Sequence, residues 1–194
     1  YRVCVYRLGW YRGVGGRLMM CGPGCRLSQA AIAQPPPTTA DSVTGLFRAP
    51  WRVTDHVEIP ADAVSGYYEA KLEIVGGAYA GAVGSVPLIV RQSPVAPASA
   101  VLVQVPVNTW EAYNRWGGKS LYQFGTSMHA VEVSFDRPFD QQLFYNMITK
   151  LELPWVRFLE RNGIDVSYQT DVDTDRAPGS LLHHRLVFAI GHDE

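Results

Sequence analysis

The sequence predicts two folds in succession, an all-β, Ig-like sandwich followed by an α/β domain built on a parallel sheet. Short β-like runs separated by Gly and Pro turns fill the first half, without a long helical pattern between them. In the second half, strand-like runs alternate with helical patterns, which is typical of a doubly wound fold. A Pro-rich stretch separates these two sequence patterns. We therefore predict a sandwich over residues 1–93, a linker over 94–98 and an α/β domain over 99–194.

The predicted strands of the first half are Val3–Leu8, Trp51–Val53, Gly66–Leu72 and Val86–Arg91. The segment Ile74–Val90 carries no charge, but it is short for a membrane-spanning helix and is interrupted by four glycines and a proline. A hairpin with residues 72–75 and 86–90 as its strands is the better interpretation. We expect no membrane partner.

The predicted strands of the second half are Val101–Val107, Val131–Phe135, Ile164–Tyr168 and Leu186–Ile190. The clearest helix covers about Pro154–Asn162, because Pro stands in its first turn and Gly163 follows its end. The run Leu186–Ile190 is continuous and apolar, as in a strand buried on both faces of a parallel sheet. We expect this run to pair in parallel with Val101–Val107, directly or through one strand between them.

Composition excludes several classes of partner. The 194 residues are 47% hydrophobic, enough for a substantial core, and 17 basic against 18 acidic residues give a net charge of −1. With no basic stripe, we expect no nucleic acid partner. All three cysteines fall within the first 25 residues and leave the redox compartment undetermined. No signal-peptide pattern is present, so any targeting sequence is expected outside these residues.

Two polar segments follow predicted strands of the parallel sheet. His192, Asp193 and Glu194 come directly after Leu186–Ile190, and the polar and aromatic segment Thr109–Tyr122 follows Val101–Val107. Ligand crevices of open α/β sheets lie outside the carboxyl ends of the strands. We therefore expect the chain to end inside its own active site.

Tyr113, Tyr122 and Glu194 would all lie at that edge of the sheet. Two phenolates and a carboxylate are hard, anionic oxygen donors, which suit a highly charged ion such as Fe(III) better than zinc. The other interpretation is that the aromatic residues of this segment only pack at a turn.

The sequence resembles a known family over nearly its whole length, the large (β) subunit of N,N-dimethylformamidase and its single-chain relatives. The motifs that carry the resemblance are Arg7–Gly13, Asn108–Tyr122, Ser134–Pro138, Phe158–Gly163 and Gly191–Glu194. The resemblance implies a β-sandwich and an α/β domain similar to class I glutamine amidotransferases. It also implies a bacterial protein, either cytoplasmic or secreted.

The resemblance further implies the site and its reaction. A mononuclear Fe(III) would be held by Tyr113, Tyr122 and Glu194, and a small amide would be hydrolysed there. His192 would transfer protons, so that His192 and Glu194 form the catalytic pair. The neighbouring residues Asn114, Trp116 and Asp193 are expected around the ligands or the substrate. A small subunit or a homo-oligomer is the implied protein partner.

Two other side chains are candidates for the surroundings of the site. Arg137 would present its guanidinium to an anionic group, or would form a salt bridge with Asp136 or Glu132. Asp171, Asp173 and Asp175 resemble the start of a calcium-binding loop, but Arg176 replaces the glycine that such a loop needs. We interpret this segment as a solvated loop and keep Asp173 as a candidate near the site.

Two classes of function follow. The first is a metal-dependent amidohydrolase in which Fe(III) polarises the amide carbonyl and activates water. The second is a non-catalytic module that binds carbohydrate or protein. A thiol-dependent amidotransferase is excluded, because that chemistry needs a cysteine at a strand-to-helix elbow and the sequence has none after Cys25.

Overall fold

The chain folds into an antiparallel sheet and a parallel sheet with a few helices, so its class is mixed α/β. The computed structural model describes residues 1–21, 28–93, 96–122 and 129–191, with the side chains of Met20 and Cys21 left out. Within these ranges, no helix has the length and apolar character needed to cross a bilayer. Residues 94–95 of the predicted linker lie outside the described residues.

The antiparallel sheet has four strands in the order β2-β1-β3-β4. Its strands are β1 (Arg2–Leu8), β2 (Gly16–Cys21), β3 (Gly66–Glu73) and β4 (Val83–Val90). β3 and β4 form the predicted hairpin, but its register pairs Gly66 with Val90 and Glu73 with Val83, which leaves residues 74–82 as the turn. Pairing of residues 72–75 with 86–90 was therefore wrong.

The parallel sheet has three strands in the order β6-β5-β7. They are β5 (Val101–Val105), β6 (Val166–Thr170) and β7 (Leu186–Ala189). The predicted parallel pairing of β5 with β7 is confirmed, with Val101 opposite Leu186. The expectation that β7 is buried on both faces is wrong, because β7 lies at the sheet edge in the described structure and Leu186 is 47% exposed.

The α-helices of the described structure lie in the same part of the chain as the parallel sheet. α1 (Val107–Tyr113) follows β5, and a continuous helical run consists of α2 (Gln141–Leu143), a π-helix (Phe144–Glu152) and α3 (Leu153–Arg161). α4 (Asp171–Arg176) follows β6, and 3₁₀ turns cover Tyr11–Gly13 and Pro178–His183. The predicted helix over about 154–162 is confirmed as α3.

The π-helix ends at Glu152, two residues before Pro154. Proline has no backbone N–H, so it cannot donate the α-helical hydrogen bond to Lys150. The N–H of Leu153 instead reaches back to the carbonyl of Ile148. The π winding of this segment therefore agrees with the position of the proline.

Three predicted elements are wrong. Trp51–Val53 and Val131–Phe135 form no strand, and Val131 and Phe135 are more than half exposed. Val131 donates one backbone hydrogen bond, to the carbonyl of Thr44 at 2.8 Å, and Arg52 is bound through its backbone to the side chain of Gln34. Residues 171–175 form α4 rather than a solvated loop, because Thr170 and Asp173 form a capping box.

One hydrophobic core serves both sheets. It joins Tyr67 of β3, Val103 of β5, Trp110 of α1 and Tyr168 of β6, with Val156 of α3 fully buried beside them. The Tyr67 and Tyr168 rings meet edge to face with centroids 5.6 Å apart. The two sheets therefore share their largest apolar side chains.

A buried ion pair also links the halves of the chain. Arg7 of β1 donates to Glu160 of α3 at 2.6 Å and to the carbonyl of Ser65 at 2.9 Å. The second oxygen of Glu160 accepts the backbone N–H of Trp10 at 2.7 Å. The motif Arg7–Gly13 therefore packs directly on the motif Phe158–Gly163.

Candidate functional site

Tyr113 is positioned by the helix that leaves the central parallel strand. After β5 ends, Pro106 precedes α1, which buries Trp110, Glu111 and Ala112 on its inner side. Tyr113 is the last residue of α1 and is partly exposed. The position of Tyr113 is therefore set by a short helix whose other side chains are buried in the core.

Tyr122 is brought back to Tyr113 by the chain between them, residues 114–122, which we call the tyrosine loop. The N–H of Leu121 donates to the carbonyl of Ala112 at 3.0 Å, which returns the loop to the end of α1. Ser120 is buried, and its hydroxyl donates to the carbonyl of Tyr122 at 3.0 Å. The rings of Tyr113 and Tyr122 stack with centroids 4.2 Å apart and 23° between their planes. We call them the tyrosine pair.

Arg137 organises the tyrosine loop from inside. Its guanidinium pairs with the carboxylate of Glu111 at 3.2 Å and donates to the carbonyl of Glu111 at 2.9 Å. It also reaches the carbonyls of Trp116 at 3.3 Å and Lys119 at 3.1 Å. The predicted ion pair with Asp136 or Glu132 is therefore wrong, because the carboxylate that Arg137 meets is on α1.

The ion pair of Glu111 and Arg137 is almost fully buried, with side chains 9% and 1% exposed. Burial raises the pKa of Glu111, and the charge of Arg137 and the amide of Asn114 oppose that rise. Burial likewise lowers the pKa of Arg137, but a guanidinium stays protonated in proteins. The pair therefore acts as a fixed support for the loop.

Asn114 joins α1 to the segment that follows the tyrosine loop. It is completely buried, and its amide donates to the Glu111 carboxylate at 3.3 Å and to the carbonyl of Pro138 at 3.0 Å. Its side-chain oxygen accepts the N–H groups of Trp116 and Asp140. These bonds use the full hydrogen-bonding capacity of the amide, so Asn114 supports the site from within.

Trp116 belongs to an aromatic cluster on the outer side of the tyrosine loop. Its ring meets Phe47 edge to face at 5.4 Å and Trp51 at 5.8 Å. Gly117, at φ +91°, packs so closely on Phe47 that a Cβ there would lie 2.6 Å from a ring carbon. The irregular segment around residues 47–51 thus covers this loop.

Of the remaining predicted site residues, the structure describes Asp173 alone, and it contacts Thr170 and Arg91. Asp173 lies in the first turn of α4, where it accepts from Thr170 in the capping box and pairs with Arg91 at 2.9 Å. His192, Asp193 and Glu194 lie outside the described residues. Gly191, the last residue described before them, follows β7 with φ +82° and open space around it.

Glu152 is a buried titratable residue that the sequence analysis missed. Trp110 Nε1 and the hydroxyl of Tyr67 donate to its two oxygens, each at 2.7 Å. Burial raises the pKa of Glu152 to about 7, and the two hydrogen bonds oppose the rise. The sequence signal that could have indicated a buried carboxylate is the position of Glu152 between Leu151 and Leu153 in a helical stretch.

The tyrosine pair has the donor chemistry that a ferric ion requires. Phenol oxygens become hard anionic donors when they lose their protons, and the pair sets two of them on adjacent rings. Among the described residues, no three His, Cys, Asp or Glu side chains gather to hold a metal ion. A site here would therefore depend on the tyrosines, with Glu194 as the predicted carboxylate.

Comparison with known proteins gives the relationship of the whole chain. No curated protein matches it. Residues 2–194 match the family described as N,N-dimethylformamidase beta subunit-like, C-terminal. The match covers both sheets, α1 and the tyrosine loop, which agrees with the resemblance found in the sequence motifs. The chain therefore belongs to the N,N-dimethylformamidase beta subunit-like, C-terminal family.

Proposed function

We propose that this protein hydrolyses small amides at a mononuclear ferric site formed by Tyr113, Tyr122 and Glu194. The observation that carries the proposal is the stacking of the tyrosine pair at 4.2 Å in a chain of this family. When bound, Fe(III) would supply a Lewis acid that polarises an amide carbonyl and lowers the pKa of water.

The side chains of the protein have separate parts in this proposal. Tyr113 and Tyr122 would bind as phenolates, and Glu194 would add the third anionic oxygen. His192, two residues before Glu194, would carry a proton to the leaving amine. Asn114 and the Glu111–Arg137 pair hold the backbone on which Tyr113 is mounted. Asp193 and Trp116 would line the approach to the site.

The proposal extends to architecture and partners. The first 93 residues would correspond to an Ig-like sandwich and residues 99–194 to an amidotransferase-like domain, separated by the linker at 94–98. The family name describes a beta subunit, so we propose assembly with a small subunit or with further copies of this chain. The four-stranded antiparallel sheet in the described part of the first half supports this proposal.

The decisive experiment is iron loading of the full-length protein and of its Tyr113→Phe variant. Ferric phenolate absorbs visible light by charge transfer, because the metal holds the tyrosine deprotonated far below its ordinary pKa of about 10. We expect a visible band and amidase activity in the parent protein. Tyr113→Phe should lose both, with the free energy of unfolding changed by no more than about 1 kcal/mol.

The matched control is Tyr79→Phe, which removes a hydroxyl from an exposed tyrosine in the β3–β4 turn. It should keep the band and the activity. The ferric mechanism would be refuted if the parent protein were colourless and bound no iron, and if Tyr113→Phe had the same amidase activity as the parent. A binding module for carbohydrate or protein would then be the better interpretation.

A further inference from the structure

A large cleft lies beside the tyrosine loop, between the antiparallel sheet and the segment that carries Arg137. Its volume is about 940 Å³. The irregular segment at 48–51 forms one wall, β3 and β4 form the second, and residues 136–141 form the third. Pockets of this size accommodate small organic ligands. The cleft touches the tyrosine loop through Trp51, whose ring contacts Trp116.

The body of the cleft is apolar. Leu72, Val86, Pro138 and Phe139 line it together with Trp51, whose surface is 42% exposed. The Trp51 indole is already held in place, because its N–H donates to the carbonyl of Pro35 at 3.0 Å. An exposed, fixed indole in an apolar cleft offers a surface for a flat or aliphatic group.

Three ionisable side chains line the cleft, but one of them is engaged elsewhere. Arg137 lines it while its guanidinium is bound to Glu111 and to loop carbonyls. The other two are Arg48 and Asp136, and the N–H of Ala49 donates to the carbonyl of Asp136 at 2.7 Å. That bond holds the chain segments of Arg48 and Asp136 side by side.

Arg48 and Asp136 do not neutralise each other. No ion pair or side-chain hydrogen bond engages either charged group within the ranges that the structure describes. A guanidinium attracts a carboxylate strongly, and a carboxylate accepts an amide N–H. The cleft therefore presents one cationic donor and one anionic acceptor around an apolar body.

We propose that this cleft binds a secondary amide that carries a carboxylate and an apolar group. The ligand carboxylate pairs with Arg48, its amide N–H donates to Asp136, and its apolar group lies against Trp51. This inference rests on the proposed function, since it names the substrate class of the neighbouring tyrosine site. In this proposal the cleft holds the substrate beside the tyrosine loop, which it meets through the contact of Trp51 with Trp116.

The test is direct binding of hippurate, a benzoylated glycine with all three features, and of its methyl ester. Binding is followed by the indole N–H signal of Trp51 in a ¹H–¹⁵N NMR spectrum, which Trp51→Phe assigns by its loss. Hippurate should shift that signal, and the ester should bind about tenfold more weakly, because it lacks the charge that pairs with Arg48. Arg48→Gln should weaken hippurate binding to the level of the ester.

The matched control is Arg52→Gln. Arg52 is an exposed neighbour outside the cleft lining and is tied to Gln34 through its backbone, so its variant should bind hippurate as the parent does. Equal binding of hippurate and ester, or no shift of the Trp51 signal, would overturn the proposal. Hippurate binding without amide hydrolysis would leave this inference standing and count against the proposed function. Hydrolysis of small amides without hippurate binding would do the reverse.

Discussion

Arg137 shows how a single buried side chain can determine the shape of a candidate site. It meets a carboxylate and several backbone carbonyls, and each of these acceptors belongs to α1, the tyrosine loop or the turn at Ser134. Only a guanidinium has enough donors, spread in one plane, to bind them together. Its contribution therefore depends on geometry as well as charge.

We expect Arg137→Met to lower the free energy of unfolding by roughly 3–5 kcal/mol, because it leaves the Glu111 carboxylate buried without its partner. Arg137→Lys should lose less, since it keeps the charge but not the fork of donors. Glu111→Gln combined with Arg137→Met should recover part of the loss. Urea unfolding measures all three, with exposed Arg52→Gln as the control. If Arg137→Met were as stable as that control, the buried pair would have no supporting role.

The sequence predicted where candidate residues follow the strands better than it predicted their contacts. The order of residues placed Tyr113 and Tyr122 after the central strand, and a motif drew attention to Arg137. The partner of Arg137 was wrong, because Glu111 lies 26 positions earlier in the chain and only folding brings the two together. Glu152 was missed for the same reason, since Tyr67 and Trp110 are 85 and 42 positions away.

At the scale of elements, the tyrosine loop is the least regular part of the described site and depends on a tight turn. Gly118 N–H donates to the carbonyl of Arg115 at 2.8 Å, and both Gly117 and Gly118 have positive φ. Residues other than glycine are strained at positive φ, because their Cβ atom crowds the backbone. The two glycines differ in their surroundings. At Gly117 the ring of Phe47 occupies the space where a Cβ would lie, whereas at Gly118 that space is open.

We expect Gly117→Ala to destabilise the protein more than Gly118→Ala. Both substitutions add the strain of a left-handed residue, roughly 1–2 kcal/mol, but only Gly117→Ala also displaces Phe47. Near-ultraviolet circular dichroism should report a changed Trp116 environment for Gly117→Ala alone. Gly118, at φ +103° with open space around its Cβ position, is the matched control. Equal losses for the two variants would show that the contact with Phe47 does not hold the loop.

Elements with strong local patterns were predictable, and elements defined by distant contacts were not. β1, β3, β5 and α3 follow from apolar runs or from capping signals within a few residues. The segment Val131–Phe135 has the apolar and polar alternation of a strand, but its backbone meets no neighbouring strand in the described structure. β2 was missed, because Gly16–Cys21 has one charged residue followed by a short apolar run and lacks the alternation typical of a half-buried strand.

At the scale of the whole molecule, the two sheets are joined by shared burial rather than by pairing of their strands. Tyr67 contributes to the core formed by the parallel sheet and its helices, and Arg7 reaches across to Glu160. The division into two domains by a linker at residues 94–98 remains a prediction. These shared contacts make strong coupling between the two halves the physical expectation, so that unfolding should occur in one transition.

Glu152 should make that transition depend on pH. It stands between the sheets, bonded to Tyr67 of β3 and Trp110 of α1, with a pKa raised from 4.5 to about 7 by burial. Between these values the folded protein holds a proton that the unfolded chain has released. Stability relative to Glu152→Gln should therefore be greatest below about pH 4.5 and should fall as the pH rises towards about 7.

The size of this fall should be about 3 kcal/mol, since each unit of pKa difference is worth about 1.4 kcal/mol. Urea unfolding of the parent and of Glu152→Gln between pH 4.5 and 8 measures it, because other titrating groups cancel in the difference. Tyr67→Phe removes a hydrogen bond that favours the charged carboxylate, so the fall should extend to higher pH in that variant. If relative stability instead rose with pH, the bonds from Tyr67 and Trp110 would outweigh burial, and Glu152 would join the two sheets as a carboxylate.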